Sequence, residues 1–267
     1  MITIHLQGGL GNQLFQIAHL IAYCKTNNKQ YAFPDYYRLH DRITYWNTLL
    51  SNLKPFLIPK DSIKNMHIEK ECGFHYQQFP DLGDNFVFHG YFQSWKYFHH
   101  QRDYILYLLQ FQKQQEEEFL LDDIDPVNSI SMHFRIGDYK NLKEVYPTLG
   151  LNYYKRAIQY FESMEILFTV YYFYEIQDHV QVEDMIQHLK EHHPQFRFVS
   201  GIQDREDWQQ LLFMSRCGNH IIANSTFSWW GAYLSSEQGI NIYPSTWFCE
   251  NVGHNTSDLF PYSWIKI

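Results

Sequence analysis

Five apolar runs alternating with amphipathic stretches across the second half of this 267-residue chain predict an α/β fold built on parallel sheets. A glycine-bearing strand-to-helix turn in "ITIHLQGGLGNQLF" opens the first half with the same β-then-α order. The length accommodates two modest domains, each with its own core. Two facing Rossmann-like domains with a cleft between them fit this layout best.

In the first half, "ITIHLQ" alternates as a strand does, and "QLFQIAHLIAYCKTNN" carries apolar residues at helical spacing before an Asn pair. "KQYAFP" reads as a second strand. From about Asp35 to Gly90 the pattern breaks into short aromatic pieces with Pro55, Pro59 and Pro80. "SWKYFHHQRDYILYLLQFQ" reads as a helix, followed by the acidic run "EEEFLLDDIDP". A domain boundary is expected at Asp125, before Pro126, which divides the chain into residues 1–125 and 126–267. In the second half the strands are "SISMHF", "EILFTVYYF", "QFRFVS", "HIIAN" and "INIYP". The helices between them are "LNYYKRAIQYFESM", "VEDMIQHLKEHH", "REDWQQLLFMSRC" and "FSWWGAYLSSE". Ligands of such sheets bind outside the strand C-termini.

Composition narrows the function. Aromatic residues make up 18%, with 21 Tyr and 21 Phe, and ring-lined clefts suit sugars and bases as well as cores. A formal charge of -8 disfavours a nucleic-acid partner. It leaves room for one anionic ligand held by a few placed donors. Cys24, Cys72, Cys217 and Cys249 have no CxxC spacing and read as free thiols in a reducing compartment. No secretory leader and no apolar run long enough to span a membrane is evident. A cytoplasmic location is therefore expected, with peripheral contact at the inner membrane left open. The N-x-S/T triplets at Asn224 and Asn255 carry no weight without secretion.

Three stretches bear chemistry. Gly8, Gly9 and Gly11 let the backbone turn sharply and bring N–H groups to a ligand at a helix N-terminus. The dinucleotide fingerprint fails here, because Leu14 stands where the third glycine of G-x-G-x-x-G belongs. A tight βα turn without a ligand is an equal reading. In "SMHFRIGDYK", His133 and Arg135 share one face of a strand that ends in Gly137-Asp138. The Arg fork matches phosphate oxygens, although an Arg–Asp pair closing a turn would also explain it. In "HIIANSTFSWWGAYL", a strand ends in Asn224-Ser225-Thr226 and a helix starts at once, so hydroxyls and N–H groups converge. Ordinary N-capping is the alternative, and Trp229, Trp230 and Tyr233 read as core.

Two metal patterns are weighed and set aside. Asp123 and Asp125 form a D-x-D triplet, but it precedes its strand and sits in a charged linker. His188 and His192 have i, i+4 spacing with Glu191 beside them, and a polar helix face accounts for them. No metal is expected.

"GGLGNQLFQ", "HFRIGDY" and "IIANSTFSWWGAYL", in this order, resemble glycosyltransferase family 11, the α-1,2-fucosyltransferases, in its bacterial branch. "GYFQSWKYF" at 90–98 and "YPSTWF" at 243–248 look like the same family, so the resemblance spans nearly the whole chain. It implies a GT-B fold, a GDP-L-fucose donor and inverting transfer to the 2-hydroxyl of a terminal galactose in a glycan acceptor, and with no metal expected from the residues the transfer is expected to be metal-independent. It also implies an acceptor-side first domain bearing the glycine loop and a GDP-binding second domain. By match to the motifs, Asp138, His133 and Arg135 carry over as catalytic positions, with Asp138 the first candidate for the base and His133 the second. Gly9, Gly11, Asn12, Arg135, Asn224, Ser225 and Thr226 carry over as donor-binding positions. The family's common "HxRRGDY" has Ile136 in place of its second arginine here. Its "FSDD"-like run is "FYEIQD" in this chain, so Glu175 or Asp178 would read the guanine. The competing hypotheses are a non-catalytic sugar or nucleotide binder on the same fold and a metal-dependent glycosyltransferase using Asp123 and Asp125.

Overall fold

Alternation in the first residues yields a buried strand, β1 (Thr3–Ile4), and the glycine turn leads into helix α1 (Leu10–Thr26). α1 is buried on nearly every side, including Gln13, Gln16 and His19, and is therefore a core helix. The computed structural model describes every residue except 40, 41, 72, 120–123, 203, 236 and 237. Cys72 and Asp123 thus lie outside the described residues. Two compact units emerge: Met1–Glu116 with His254–Pro261, and Glu117–Gly253 with Tyr262–Ile267.

The first unit continues with β2 (Phe33–Pro34), β3 (Arg38–Leu39), β4 (Arg42–Ile43), β5 (Leu57–Ile58), β6 (His67–Lys70), β7 (Phe86–His89) and α2 (Arg102–Leu109). β1, β7 and β6 form a parallel sheet in that order, β2 pairs in parallel with β5, and an Ile2–Tyr31 bridge joins the two sets. β3 and β4 form a separate antiparallel pair. Read across, the order is β5-β2-β1-β7-β6, so the winding reverses between β1 and β7. The helix expected over 94–112 is broken. Ser94 caps a 3-10 turn at Trp95–Tyr97, a second such turn covers His99–Gln101, and left-handed Gln110 (φ 49°) separates α2 from α3 (Phe111–Glu118).

The division between units falls after Glu116, within α3, rather than at Asp125. The segment His254–Pro261 belongs to the first unit although it lies late in the chain. Asp258 explains this: it pairs with Lys96, accepts from the Tyr76 N–H at 3.1 Å, and its carbonyl accepts from the Ser94 hydroxyl at 2.7 Å.

The second unit contains β8 (Ser129–His133), α4 (Leu151–Glu162), β9 (Thr169–Phe173), α5 (His179–His192), β10 (Arg197–Ser200), α6 (Asp207–Arg216), β11 (Asn219–Ile221), α7 (Thr226–Tyr233), β12 (Asn241–Tyr243) and β13 (Ile265–Lys266). Its six strands are all parallel, in the order β10-β9-β8-β11-β12-β13. Numbered within the unit, that is 3-2-1-4-5-6, the doubly wound Rossmann order. β13 was not expected; it adds to the edge through Ile242–Ile265 register. Ile130, Met132, Phe134, Tyr154, Phe161 and Val170 are among the buried residues of this core. Trp229, Trp230 and Tyr233 are buried as core residues, with Trp229 stacked on Tyr233 at 4.8 Å.

Candidate active site

An open α/β sheet binds ligands where its winding reverses, outside the strand C-termini. In the second unit that point lies between β8 and β11. β8 leads into Arg135, Gly137 and Asp138, and β11 leads into Asn224, Ser225 and Thr226. The two motifs singled out in the sequence therefore meet at one place. The Tyr139 hydroxyl donates to the Asn224 carbonyl at 2.8 Å, and the His133 ring lies 5.6 Å from that of Phe227.

Arg135 is the cation at the carboxyl edge of β8, two residues beyond its last strand residue. Its Nη2 donates to Asp138 at 2.8 Å, its Nη1 is hydrogen-bonded to Glu175, and the guanidinium lies over the Tyr139 ring. The side chain is only 18% exposed, and its Nε–H is buried with no hydrogen-bond partner among the described residues. One cation thus faces two carboxylates, with a donor still unused. The ends of the Glu175 and Gln177 side chains close over Gly137: a Cβ there would sit 2.1 Å from Glu175 Oε2 and 2.9 Å from Gln177 Nε2, so both would have to move aside.

His133 is buried, and its Nδ1 has no hydrogen-bond partner among the described residues. Burial first, and the Arg135 charge second, depress its pKa to about 3, so the imidazole is neutral at physiological pH. A group that weakly basic serves better as a hydrogen-bonding partner than as a proton acceptor.

The two carboxylates expected to read guanine both have partners within the chain. Asp178 is buried and accepts from the Gly137 N–H at 2.6 Å and from Lys140 Nζ at 2.9 Å, which fixes the turn that carries Asp138. Glu175 is bound to Arg135 and to Gln177 Nε2 at 2.6 Å. Asn224 is likewise structural in its amide: Nδ2 donates to the carbonyls of Pro147 at 2.9 Å and Trp247 at 3.2 Å. Its buried Oδ1, an acceptor only, has no hydrogen-bond partner among the described residues. Ser225 is the N-cap of α7, accepting from the Phe227 N–H at 3.3 Å. Thr226 is the first residue of that helix. Asp125 holds the turn before β8, accepting from the Val127 N–H at 3.0 Å and Asn128 Nδ2 at 2.6 Å.

In the first unit the winding reverses between β1 and β7, and the glycine loop follows β1. Gly8 has φ +78°, and a Cβ there would collide with Asn12 Nδ2 at 2.4 Å. Gly9, the N-cap of α1, makes no side-chain cap and has open space around its Cβ position. Gly11 is buried in the first turn. Amides brace this loop: Gln13 Nε2 donates to the Gly8 and Ile43 carbonyls at 3.0 and 2.9 Å, and Gln16 Oε1 accepts from the Gln7 N–H at 3.0 Å. Gln16 Nε2 donates to the Gly90 carbonyl at 3.1 Å, and Gln93 Nε2 donates to Asn12 Oδ1 at 3.0 Å.

Sequence reasoning missed Gln93 and Glu71. Glu71 Oε2 accepts from the N–H groups of Tyr91 and Phe92 at 2.9 and 2.7 Å, fixing a loop in which Phe92 has φ 52°. Burial raises the Glu71 pKa to about 7. The amide-rich start of α1 and the run "GYFQS" were the available signals for Gln93; none marked Glu71.

The model of glycosyl transferase family 11 matches residues 1–267. An α-1,2-colitosyltransferase from Escherichia coli is 28% identical over 100% of this chain and 99% of its own length. A galactoside 2-α-L-fucosyltransferase from Bos taurus is 24% identical, over 91% of this chain and 66% of its own. Among solved structures, a mutant of FUT1 from Arabidopsis thaliana in complex with GDP superposes with a TM-score of 0.54 at 11% identity, covering 99% of this chain and 75% of that one. The last likeness places the chain in the GT-B-like α/β class.

Proposed function

Given that the chain belongs to glycosyltransferase family 11, we propose that it moves L-fucose from GDP-L-fucose to the 2-hydroxyl of a terminal galactose in a glycan, with inversion and without a metal. One observation carries this reading: Arg135 and the Asn224-Ser225-Thr226 turn converge at the reversal point of a 3-2-1-4-5-6 parallel sheet. A departing nucleoside diphosphate needs its charge stabilised, and a guanidinium beside a helix N-terminus supplies that. The relatives' names support both the α-1,2 linkage and a deoxyhexose donor.

In this account the second unit holds the nucleotide sugar and the first is the acceptor-side unit. Arg135 takes the pyrophosphate, with its unpaired Nε–H and the Nη groups now shared with carboxylates. The N–H groups at the start of α7, with Ser225 and Thr226, face the same charge. Asp138 is the proton acceptor for the attacking hydroxyl, and His133 hydrogen-bonds as a neutral ring. The Arg135–Asp138 ion pair favours a second reading of Asp138, in which it only orients the guanidinium. No described helix is long and apolar enough to cross a membrane, and the chain acts in the cytoplasm or peripherally at the inner membrane.

The test is a transfer reaction with GDP-L-fucose, a β-galactoside and excess EDTA, with the product linkage read by NMR. An α-1,2-fucosyl product formed at an undiminished rate is expected. Nucleotide binding without transfer would favour the binder, and loss of transfer restored by manganese would favour the metal-dependent enzyme.

A further inference from the structure

We propose that the last turn of α5 is a binding site for a divalent transition metal of the zinc class, formed by His188, Glu191 and His192. It lies apart from the transfer site and serves stability rather than chemistry. The sequence shows only spacing there. The structure adds that one donor atom from each residue lies within 4.8 Å of the others. A tetrahedral zinc with bonds of about 2.0–2.2 Å sets its donors about 3.4 Å apart, so the side chains need to close by little more than about 1 Å.

Two further observations point to a cation. His192 Nδ1 lies 2.8 Å from the His188 carbonyl, which can only accept, so Nδ1 carries the proton and Nε2 presents its lone pair. Metal-bound imidazoles are held in this way, with the second nitrogen donating to a carbonyl or carboxylate. His188 Nε2 is buried and has no hydrogen-bond partner among the described residues, and the two ring centroids lie 4.0 Å apart. Glu191 is braced from behind by Gln187 Nε2 at 2.9 Å. These groups occupy a helix C-terminus, where the backbone dipole favours positive charge. Lys155 acts electrostatically on His188 and opposes the ion, which limits affinity. With three protein ligands, the fourth position is left to water.

His188 is ten residues beyond Asp178, which places it about 15 Å along α5 from the turn that carries Asp138. The bound ion therefore joins two points of one helix terminus and leaves the transfer reaction untouched.

The experiment uses the untagged full chain. Cobalt titration is followed by its visible absorption, and thermal unfolding is recorded with zinc and with EDTA. One equivalent of cobalt is expected to bind, zinc to displace it, and zinc to raise the unfolding temperature reversibly. His192→Ala and Glu191→Gln, both at exposed positions, should melt like the parent in EDTA and lose the zinc-induced rise. Gln187→Ala should weaken binding by about 10- to 100-fold, and Lys155→Gln should tighten it. Fucosyl transfer, measured in parallel, stays constant with or without zinc. No cobalt band up to millimolar metal, or equal zinc stabilisation of parent and both ligand variants, would overturn the proposal.

Discussion

Replacing Glu175 with glutamine tests how Arg135 meets its ligand. Arg135 faces two carboxylates, Glu175 and Asp138 at 2.8 Å, so a phosphate approaching the fork meets one excess negative charge. Two unit charges about 4 Å apart interact by about 4 kcal/mol at an effective dielectric near 20. The Glu175 side chain is 30% exposed, so screening and side-chain movement reduce this repulsion. About 1–2 kcal/mol remains, and Glu175→Gln should bind GDP roughly 5- to 30-fold more tightly. Isothermal titration with GDP and with guanosine separates the possibilities. Guanosine, which has no phosphate, should bind parent and variant alike. If Glu175 instead reads the guanine edge, affinity for both ligands falls together, and that result would refute the reasoning.

Asp138→Asn divides the two readings of that residue. A base leaves GDP and acceptor affinity intact while transfer slows by about 10²- to 10⁴-fold with loss of the acidic limb of the rate profile; an orienting residue lowers GDP affinity together with rate. Acid stability is set by His19, His133 and His220, each depressed by burial from 6.5 to about 3. Below 6.5 the unfolded chain takes up protons that the folded one refuses. Their contribution is thus complete above 6.5 and lost as pH falls towards 3. At pH 5 each costs about 2 kcal/mol relative to pH 7, while Glu71, raised by burial to about 7, regains about 2 kcal/mol by taking up its proton in the folded state. Denaturant unfolding should therefore show about 4 kcal/mol less stability, in place of a flat profile.

The doubly wound second unit was readable because each strand and helix there carries its own periodicity, and both motifs of the candidate site follow strands directly. What escaped depended on contacts between distant residues. β13 consists of Ile265 and Lys266 and exists because Ile265 pairs with Ile242. No local pattern distinguishes two residues as a strand. The segment around Asp258 joins the first unit through Lys96, Tyr76 and Ser94, over more than 160 residues of sequence. The helix expected over 94–112 failed at Gln110, whose left-handed backbone has no glycine or proline to announce it. At the site, Arg135 was legible from its strand position, but its partner Glu175 lies 40 residues away on the next strand's exit. Asp178 and Asn224 are polar residues in plausible binding loops, and only their hydrogen bonds reveal that they also brace the turns.

The central claim is that Arg135 holds the pyrophosphate of a GDP-sugar, and GDP titration into Arg135→Ala and Arg135→Lys tests it most directly. A charge-assisted bidentate contact contributes about 1.5–3 kcal/mol, so the alanine variant should bind GDP roughly 10- to 150-fold more weakly. Lysine should restore little of that loss, since a point charge cannot reproduce the fork. Unfolding temperatures recorded alongside should show both variants folded. Wild-type GDP affinity in a folded Arg135→Ala protein would contradict the account.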